Sequence, residues 1–498
     1  GPESFYSSEL MTNAGEFSDS AIVVLGRLMG EGNDYSKYQY YPDNSYDEDR
    51  QLLELSPDEE AMLEQASTFD NVIVILNTTN PMETGFIEES KYNIDACLYI
   101  GTPGTRGALG VADILIGDVS PSGHLSDTMA YELSTAASYA TSGREGQGAY
   151  TDISNGQFDP RNGANRYRDY IEDIYVGYKW YETADEMGFW DSADARERWG
   201  IENGYDDVVQ FPFGFGLSYS EFEWSVDSIS PDDGATLTAD GKITLNVVVK
   251  NVGDVAAKDV VQVYYSAPYY TGGIEKSSIN LVAFAKSKLL EPDESEIIPI
   301  SFDVEDMKSY DCYDRNDNGF MGYELEAGEY EITLRTDVHT LKEIERGRGQ
   351  NTYTFTVPSA DGEKTGFKYE TDSATGNKVE NRFTTFTNES TGASSEIYEP
   401  AVLAAHSIDG SEEPTKLTYV TRADFAGTFP YEKEPNRAAG KELYDTTYRI
   451  KIMPVNKVYG DDASVTVPAC DSKETNYLIT DLYGIEYDDP MWDDLVSQ

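Results

Sequence analysis

Chemistry in this chain has few side chains to draw on. Its 498 residues include three histidines and three cysteines. Neither type clusters at the spacing of a zinc site, and a Ser-His-Asp triad has little to use. Cys97, Cys312 and Cys470 are too few and too far apart for a disulfide scaffold. By elimination the chemistry falls to carboxylates, with no metal and no cofactor implied. One carboxylate stands out: Glu31, flanked by Gly30 and Gly32 and followed by Asp34. The turn that carries it leaves Ala21-Ile22-Val23-Val24-Leu25, a continuous apolar run that predicts a buried strand of a parallel sheet. Open α/β sheets bind ligands in the crevice beyond the carboxyl ends of their strands. A carboxylate there can give or take a proton. Standing alone, Gly-Glu-Gly reads as well as a tight turn with a solvated glutamate.

The elements that must hold this loop follow in order. Residues 35–50 are acidic and tyrosine-rich and read as an exposed loop. Ser56-Pro57-Asp58-Glu59 is a helix start, with Ser as N-cap, Pro at the first position and Glu closing a capping box. That helix is expected to reach about Thr68. Val72–Leu76 and Ala96–Ile100 predict two more buried strands. Ala108, Val111, Ala112 and Leu115 recur at helical spacing up to Gly117, a natural stop. Strands alternating with helices imply a mostly parallel sheet with helices on both faces. From about residue 225 the period changes to two. Ile243, Leu245, Val247 and Val249 alternate with polar residues, and Asp259–Tyr265, Ile297–Val304 and Tyr330–Arg335 follow. This is the pattern of an all-β sandwich. Asp314, Asn316, Asn318 and Gly319 mimic the start of a calcium loop, but Leu325 occupies its acidic twelfth position, so the stretch reads as a polar hairpin tip. Residues 361–485 read as an irregular, β-rich bridging segment.

Charge narrows the partners. Ninety-one acidic residues against 37 basic ones give a formal net charge of −54. Nucleic acid and anionic membranes both need a basic footprint, so neither is expected. No apolar run reaches the roughly 18 residues a membrane span requires. The scarcity of basic residues leans towards a secreted or cell-surface protein, with the cytoplasm still open.

Four segments resemble, in order, the second domain of family 3 glycoside hydrolases: NPMETGF (80–86), GVADILIGDVSPSGHLSDTMA (110–130), YIEDIYVGYKWYET (170–183) and FPFGFGLSYSEFEW (211–224). Pro121-Ser-Gly-His-Leu-Ser-Asp-Thr128 and the Tyr170 block are similar to the branch with inverted domain order. In that branch this domain and a fibronectin type III-like domain precede the catalytic barrel. Asn251-Val-Gly and Val260-Val-Gln-Val-Tyr264 are similar to the family's fibronectin-like pattern, Tyr419–Pro430 resembles a connecting segment, and Tyr487–Val496 the lead-in to the barrel. The implied layout is an α/β sandwich over 1–222, the fibronectin-like sandwich over 223–360, the bridge over 361–485 and the start of a barrel over 486–498. Gly1-Pro-Glu-Ser is no signal peptide and lacks an initiator Met, so a removed tag or a start inside a longer polypeptide is expected.

The resemblance implies a retaining β-glycosidase that needs two carboxylates. The nucleophilic Asp belongs to a barrel on another chain or severed piece, which is therefore the expected partner. Glu31 takes the acid/base position. Asp34, Arg106 and Tyr35 are candidates for supporting the loop or binding substrate, and Glu83 for ordering a neighbouring loop. A small oligosaccharide or an aryl or alkyl β-glucoside is the implied substrate, and the assembled enzyme could be a homo-oligomer. Two other readings stay open: the same role towards β-xylosides or other β-glycosides, and a non-catalytic carbohydrate-binding or structural module.

Overall fold

The apolar runs do become strands. The structure, a computed structural model, describes residues 7–27, 36–41, 45–104, 106–142, 150–151, 166–167, 170–360, 362–379, 385–388, 393–396 and 418–431. All of these fall in one compact unit, Gly1–Ala439. Helix α1 (Ser8–Phe17) is capped by the Ser7 hydroxyl and leads into β1 (Ser20–Gly26). Two short strands, β2 (Tyr38–Tyr40) and β3 (Tyr46–Gln51), pair antiparallel where an exposed loop was expected. The Gln39 amide explains the difference: it is buried and donates to the carbonyls of Gln51, Glu54 and Leu55. Helix α2 (Pro57–Ala66) has the predicted capping box, with Ser56 and Glu59 exchanging bonds. Strands β4 (Asn71–Asn77) and β5 (Ala96–Tyr99) then complete a parallel sheet of order β1-β4-β5. Helix α3 (Gly107–Leu115) ends at Gly117, whose φ of +83° suits the left-handed turn. Val23, Leu25, Val74 and Leu76 pack with Leu63 of α2 on one face of the sheet. Ile22 and Val24, on the other face of β1, stay 54% exposed.

Beyond the sheet, helices α4 (Tyr178–Glu186) and α5 (Ala193–Trp199) carry an aromatic core. Trp180 and Trp190 are almost fully buried and meet edge to face at 5.7 Å. Residues 418–431, from the expected bridge, return to this core. Phe429 stacks on Trp180 at 5.2 Å, and Phe425 meets the same ring edge-on at 5.0 Å. Polar anchors fix the approach. Buried Arg422 lies 4.3 Å over the Tyr269 ring and donates to Glu186 at 2.7 Å and to the Lys276 carbonyl at 3.1 Å. Glu275 accepts from Tyr175, from the Thr421 hydroxyl and from the Arg422 amide. Residues 486–498, expected to begin a barrel, lie outside the described residues.

The period-two segments form a sandwich. Its strands are β6 (Phe222–Ser230), β7 (Lys242–Asn251), β8 (Val260–Ser266), β9 (Asn280–Lys286), β10 (Ser295–Asp303), β11 (Gly328–Arg335) and β12 (Thr352–Val357). They make two antiparallel sheets, β6-β7-β10 and β9-β8-β11-β12. Ile243, Leu245, Val247 and Val249 of β7 are fully buried, while the residues between them are half-buried. A pleated strand between core and solvent requires this alternation.

Sandwich and α/β layers meet through a polar contact at Glu182 of α4, which is 8% exposed. One of its oxygens accepts from the Tyr205 hydroxyl and the other lies 2.9 Å from His339 Nδ1. The His339 ring stacks on Tyr205 at 3.9 Å. The bond to Glu182 raises the His339 pKa, desolvation opposes it, and the charges of Glu182, Asp185 and Asp337 add to the rise. A histidine whose folded pKa is raised adds stability that is full below its unfolded pKa, about 6.5, and fades as pH climbs through the folded value. His339→Gln should therefore cost about 0.5 kcal/mol at pH 6, a small figure because the side chain is partly open to solvent. At pH 9 the charge-dependent part of that cost should be gone, leaving only the loss of the stack on Tyr205. Urea unfolding at both pH values checks this, and an equal loss at both would disprove the charged contact.

Candidate active site at the carboxyl end of the parallel sheet

Three of the candidates, Glu31, Asp34 and Tyr35, lie outside the described residues. The structure shows what holds the two roots of their loop. Arg27, the first residue after β1, has a side chain only 9% exposed and makes five hydrogen bonds. Its Nη1 and Nη2 grip the two carboxylate oxygens of Glu59 at 2.6 and 3.0 Å. Nε and Nη2 also donate to the carbonyls of Leu52 and Glu54. Burial works against charge on Glu59, but the bonds from Arg27 and from Ser56 outweigh it and lower its pKa. The capping-box glutamate of α2 is thus also the counter-ion for the loop's first root.

The second root is Ser36-Lys37, both buried. The Lys37 ammonium sits 4.1 Å over the Tyr139 ring, and the Lys37 carbonyl accepts from Leu52 N at 2.8 Å. Both roots are tied to the same stretch, 51–55. A cavity of about 210 Å³ adjoins Lys37, with Gln51, Asn80, Asp127, Tyr139 and Tyr181 among its lining residues. Burial raises the Asp127 pKa, and the Thr128 amide opposes the shift. The cavity therefore presents an ammonium, a carboxyl and an amide in a partly dry space.

Glu83 orders the loop after β4. Its backbone amide donates to Leu53 O at 3.1 Å, and its carboxylate accepts from Leu133 N at 2.8 Å. Arg106 stands exposed on the turn before α3, and its guanidinium makes no hydrogen bond or ion pair among the described residues. The structure does not join it to the Arg27–Glu59 clamp. Tyr40 and Tyr46 pack on each other at 5.1 Å while keeping exposed edges. Sequence reading missed Arg27, Lys37 and Asp127. The available signal was their type and place: the two bases flank the glycine-rich turn in a chain poor in bases. Among the described residues no group of three or more His, Cys, Asp or Glu could hold a metal ion.

The Glycosyl hydrolase family 3 C-terminal domain matches residues 7–219, and the Fibronectin type III-like domain matches residues 259–338. A "Beta-glucosidase" of Ruminococcus albus is 34% identical over 336 residues, covering 67% of this chain and 29% of that protein. "Beta-glucosidase A" of Butyrivibrio fibrisolvens is 31% identical over 351 residues, covering 66% and 37%. A solved beta-glucosidase from Paenibacillus barengoltzii superposes with a TM-score of 0.53 at 30% identity, covering 71% of this chain and 33% of that one. Beta-glucosidase 3B from Thermotoga neapolitana, solved with glucose, gives 0.50 at 27% identity, covering 72% and 40%. The chain spans between 29% and 40% of the length of these proteins.

Burial pushes the Glu83 carboxyl up to about 8; the Leu133 amide pulls it down, and Glu54 and Glu132 push it up again. A carboxyl raised in the fold gives stability that is full below its unfolded value and lost as pH rises through the folded one. Glu83→Gln keeps an acceptor for Leu133 and removes the titration. The variant should match the parent at pH 5 and exceed it by on the order of 1 kcal/mol at pH 8.5. Calorimetric unfolding at the two pH values reads this directly, and parallel pH profiles would refute it.

Proposed function

Residues 7–219 match the C-terminal domain of family 3 glycoside hydrolases and residues 259–338 a fibronectin type III-like domain, and from that premise we propose that the chain supplies the general acid/base, Glu31, to a retaining β-glucosidase. The observation that carries the reading is the loop Gly30-Glu31-Gly32-x-Asp34, which leaves a parallel strand between two roots anchored by Arg27 and Lys37. The beta-glucosidase names of the relatives supply the sugar.

In such an enzyme two carboxylates face each other about 5–5.5 Å apart. The nucleophilic Asp attacks the anomeric carbon from a barrel outside these 498 residues. Glu31 protonates the leaving oxygen and then draws a proton from water to release terminal β-D-glucose. To arrive protonated near neutral pH, Glu31 needs its pKa raised by burial or by a neighbouring negative charge. The barrel nucleophile supplies that charge on assembly. The five bonds on Arg27 hold the first root of the loop. Asp34 and Tyr35 support the loop, and Arg106 reaches substrate only once the second piece is present.

Glu31→Ala in the assembled enzyme should slow hydrolysis of alkyl β-glucosides by about 10²–10⁴-fold, the usual worth of a general acid. A 2,4-dinitrophenyl glucoside, which needs no proton to leave, should glycosylate the enzyme at nearly the parental rate, and azide should restore turnover. Equal kcat/KM for mutant and parent on an alkyl glucoside sinks the assignment.

A further inference from the structure

The loop between the short strands Ser309–Asp311 and Gly322–Leu325 is the hairpin tip that the sequence suggests. Its interior is less ordinary. Asp314 accepts from the amides of Asn318 and Gly319 at 2.9–3.1 Å and so folds the loop around itself. Asp314, Asp317 and Gly319 have φ of 53°, 57° and 73°, which sets the tight curl. Glu324 is completely buried. One of its oxygens accepts from the side-chain amides of Asn316 and Asn318 at 2.9 and 2.7 Å. The other, Oε1, has no hydrogen-bond partner, and neither does the buried Oδ1 of Asn316.

Two acceptor oxygens shut away from water without a donor is a costly arrangement. The surroundings make it worse. Asp311 and Glu326 are also buried beside Glu324, and the buried Lys276 ammonium is already paired with Glu326 at 2.5 Å. An ion with two positive charges relieves all of this. We propose that the loop 314–324 binds calcium through side-chain oxygens of Asp314, Asn316, Asn318 and Glu324, with the carbonyl of residue 320 as a further ligand. Positions one, three, five and seven of a calcium loop then keep their usual roles. The two carboxylates balance the ion's charge. Asn316, whose Oδ1 has no donor, needs only a half-turn of its amide, which exchanges oxygen for nitrogen in nearly the same volume; in Asn318 the same turn gives up the bond its Oδ1 accepts from Phe320 N at 2.9 Å.

The missing acid at position twelve has a structural reason. The chain leaves this loop as a strand, so successive side chains point to opposite sides. Leu325, at position twelve, is 1% exposed in the sandwich core, and Glu324, at position eleven, lies on the other side with the two asparagines. Oxygen-only ligands on an irregular loop suit calcium better than magnesium, which holds its water tightly and demands an octahedron. A ligand set with two carboxylates and two amides falls short of the three or more acidic side chains that mark a conventional metal cluster. Weak binding follows, with a Kd of roughly 10⁻⁴–10⁻³ M.

The test uses the full chain, stripped with EDTA and held at constant ionic strength. Calorimetric titration with calcium chloride should show one saturable site. Terbium should give tyrosine-sensitised luminescence, fed by Tyr313 and Tyr323, that calcium displaces. Asp314→Asn, at a half-exposed position that does not endanger folding, and Glu324→Gln should each weaken binding at least tenfold. A chain with 54 excess negative charges is stabilised by any divalent ion through screening, so magnesium serves as the control. A Tm rise equal for both ions and unchanged in Asp314→Asn would overturn the proposal, as would terbium emission that calcium does not displace.

Discussion

The bidentate pair between Arg27 and Glu59 is the contact on which the carboxyl end of the parallel sheet depends. It joins three things that chain connectivity does not: the end of β1, the N-terminus of α2 and the carbonyls of residues 52 and 54. Arginine suits this place because its planar fork can serve a carboxylate and two carbonyls at once. A lysine would lose the fork. The pair is largely buried, and breaking such a pair by removing one partner typically costs about 3–5 kcal/mol, because the survivor is left uncompensated. In a chain with 91 acidic residues, a glutamate that finds an arginine this way is held in one conformation against many competing negative neighbours.

Around that clamp the molecule handles its excess of negative charge locally. Glu83 lies near Glu54 and Glu132 and answers by favouring the protonated form. Glu59 takes a guanidinium, and Glu275 takes a hydroxyl, a phenol and an amide from elements far apart in sequence. Glu182 is satisfied by Tyr205 and His339 across the meeting of the two layers. Each is the same problem, a carboxylate out of water, solved by a different donor. At Glu324, as at Glu326, donors reach only one of the two buried oxygens. The docking of residues 418–431 shows the complementary rule: apolar rings supply area while Thr421 and Arg422 settle orientation through Glu275 and Glu186.

Much of the architecture was legible in the residues. The β4 run, the capping box at Ser56, the Gly117 stop and the strict alternation of β7 all depend on neighbours a few positions away. Such neighbours are visible to anyone reading along the chain. The hairpin at 38–51 was hidden because its stability comes from a glutamine amide reaching back to three carbonyls, which no period reveals. The roots of the Glu31 loop were partly legible: a glycine-rich turn after a strand announces a site, but its anchors sit 25 to 32 residues away.

What the sequence by itself determined is therefore the set of local commitments: which runs are strands, where helices begin and stop, which carboxylate sits on a turn, and which family the segments resemble. Only the tertiary structure decided which charges face each other. It paired Arg27 with Glu59, closed His339 against Glu182, and brought 418–431 home to Trp180. It also turned Glu324, rather than the residue after it, towards the asparagines. The physical reason is that propensity and periodicity act over one or two turns of chain, whereas burial of a charge is settled by whatever the fold brings within about 3 Å of it.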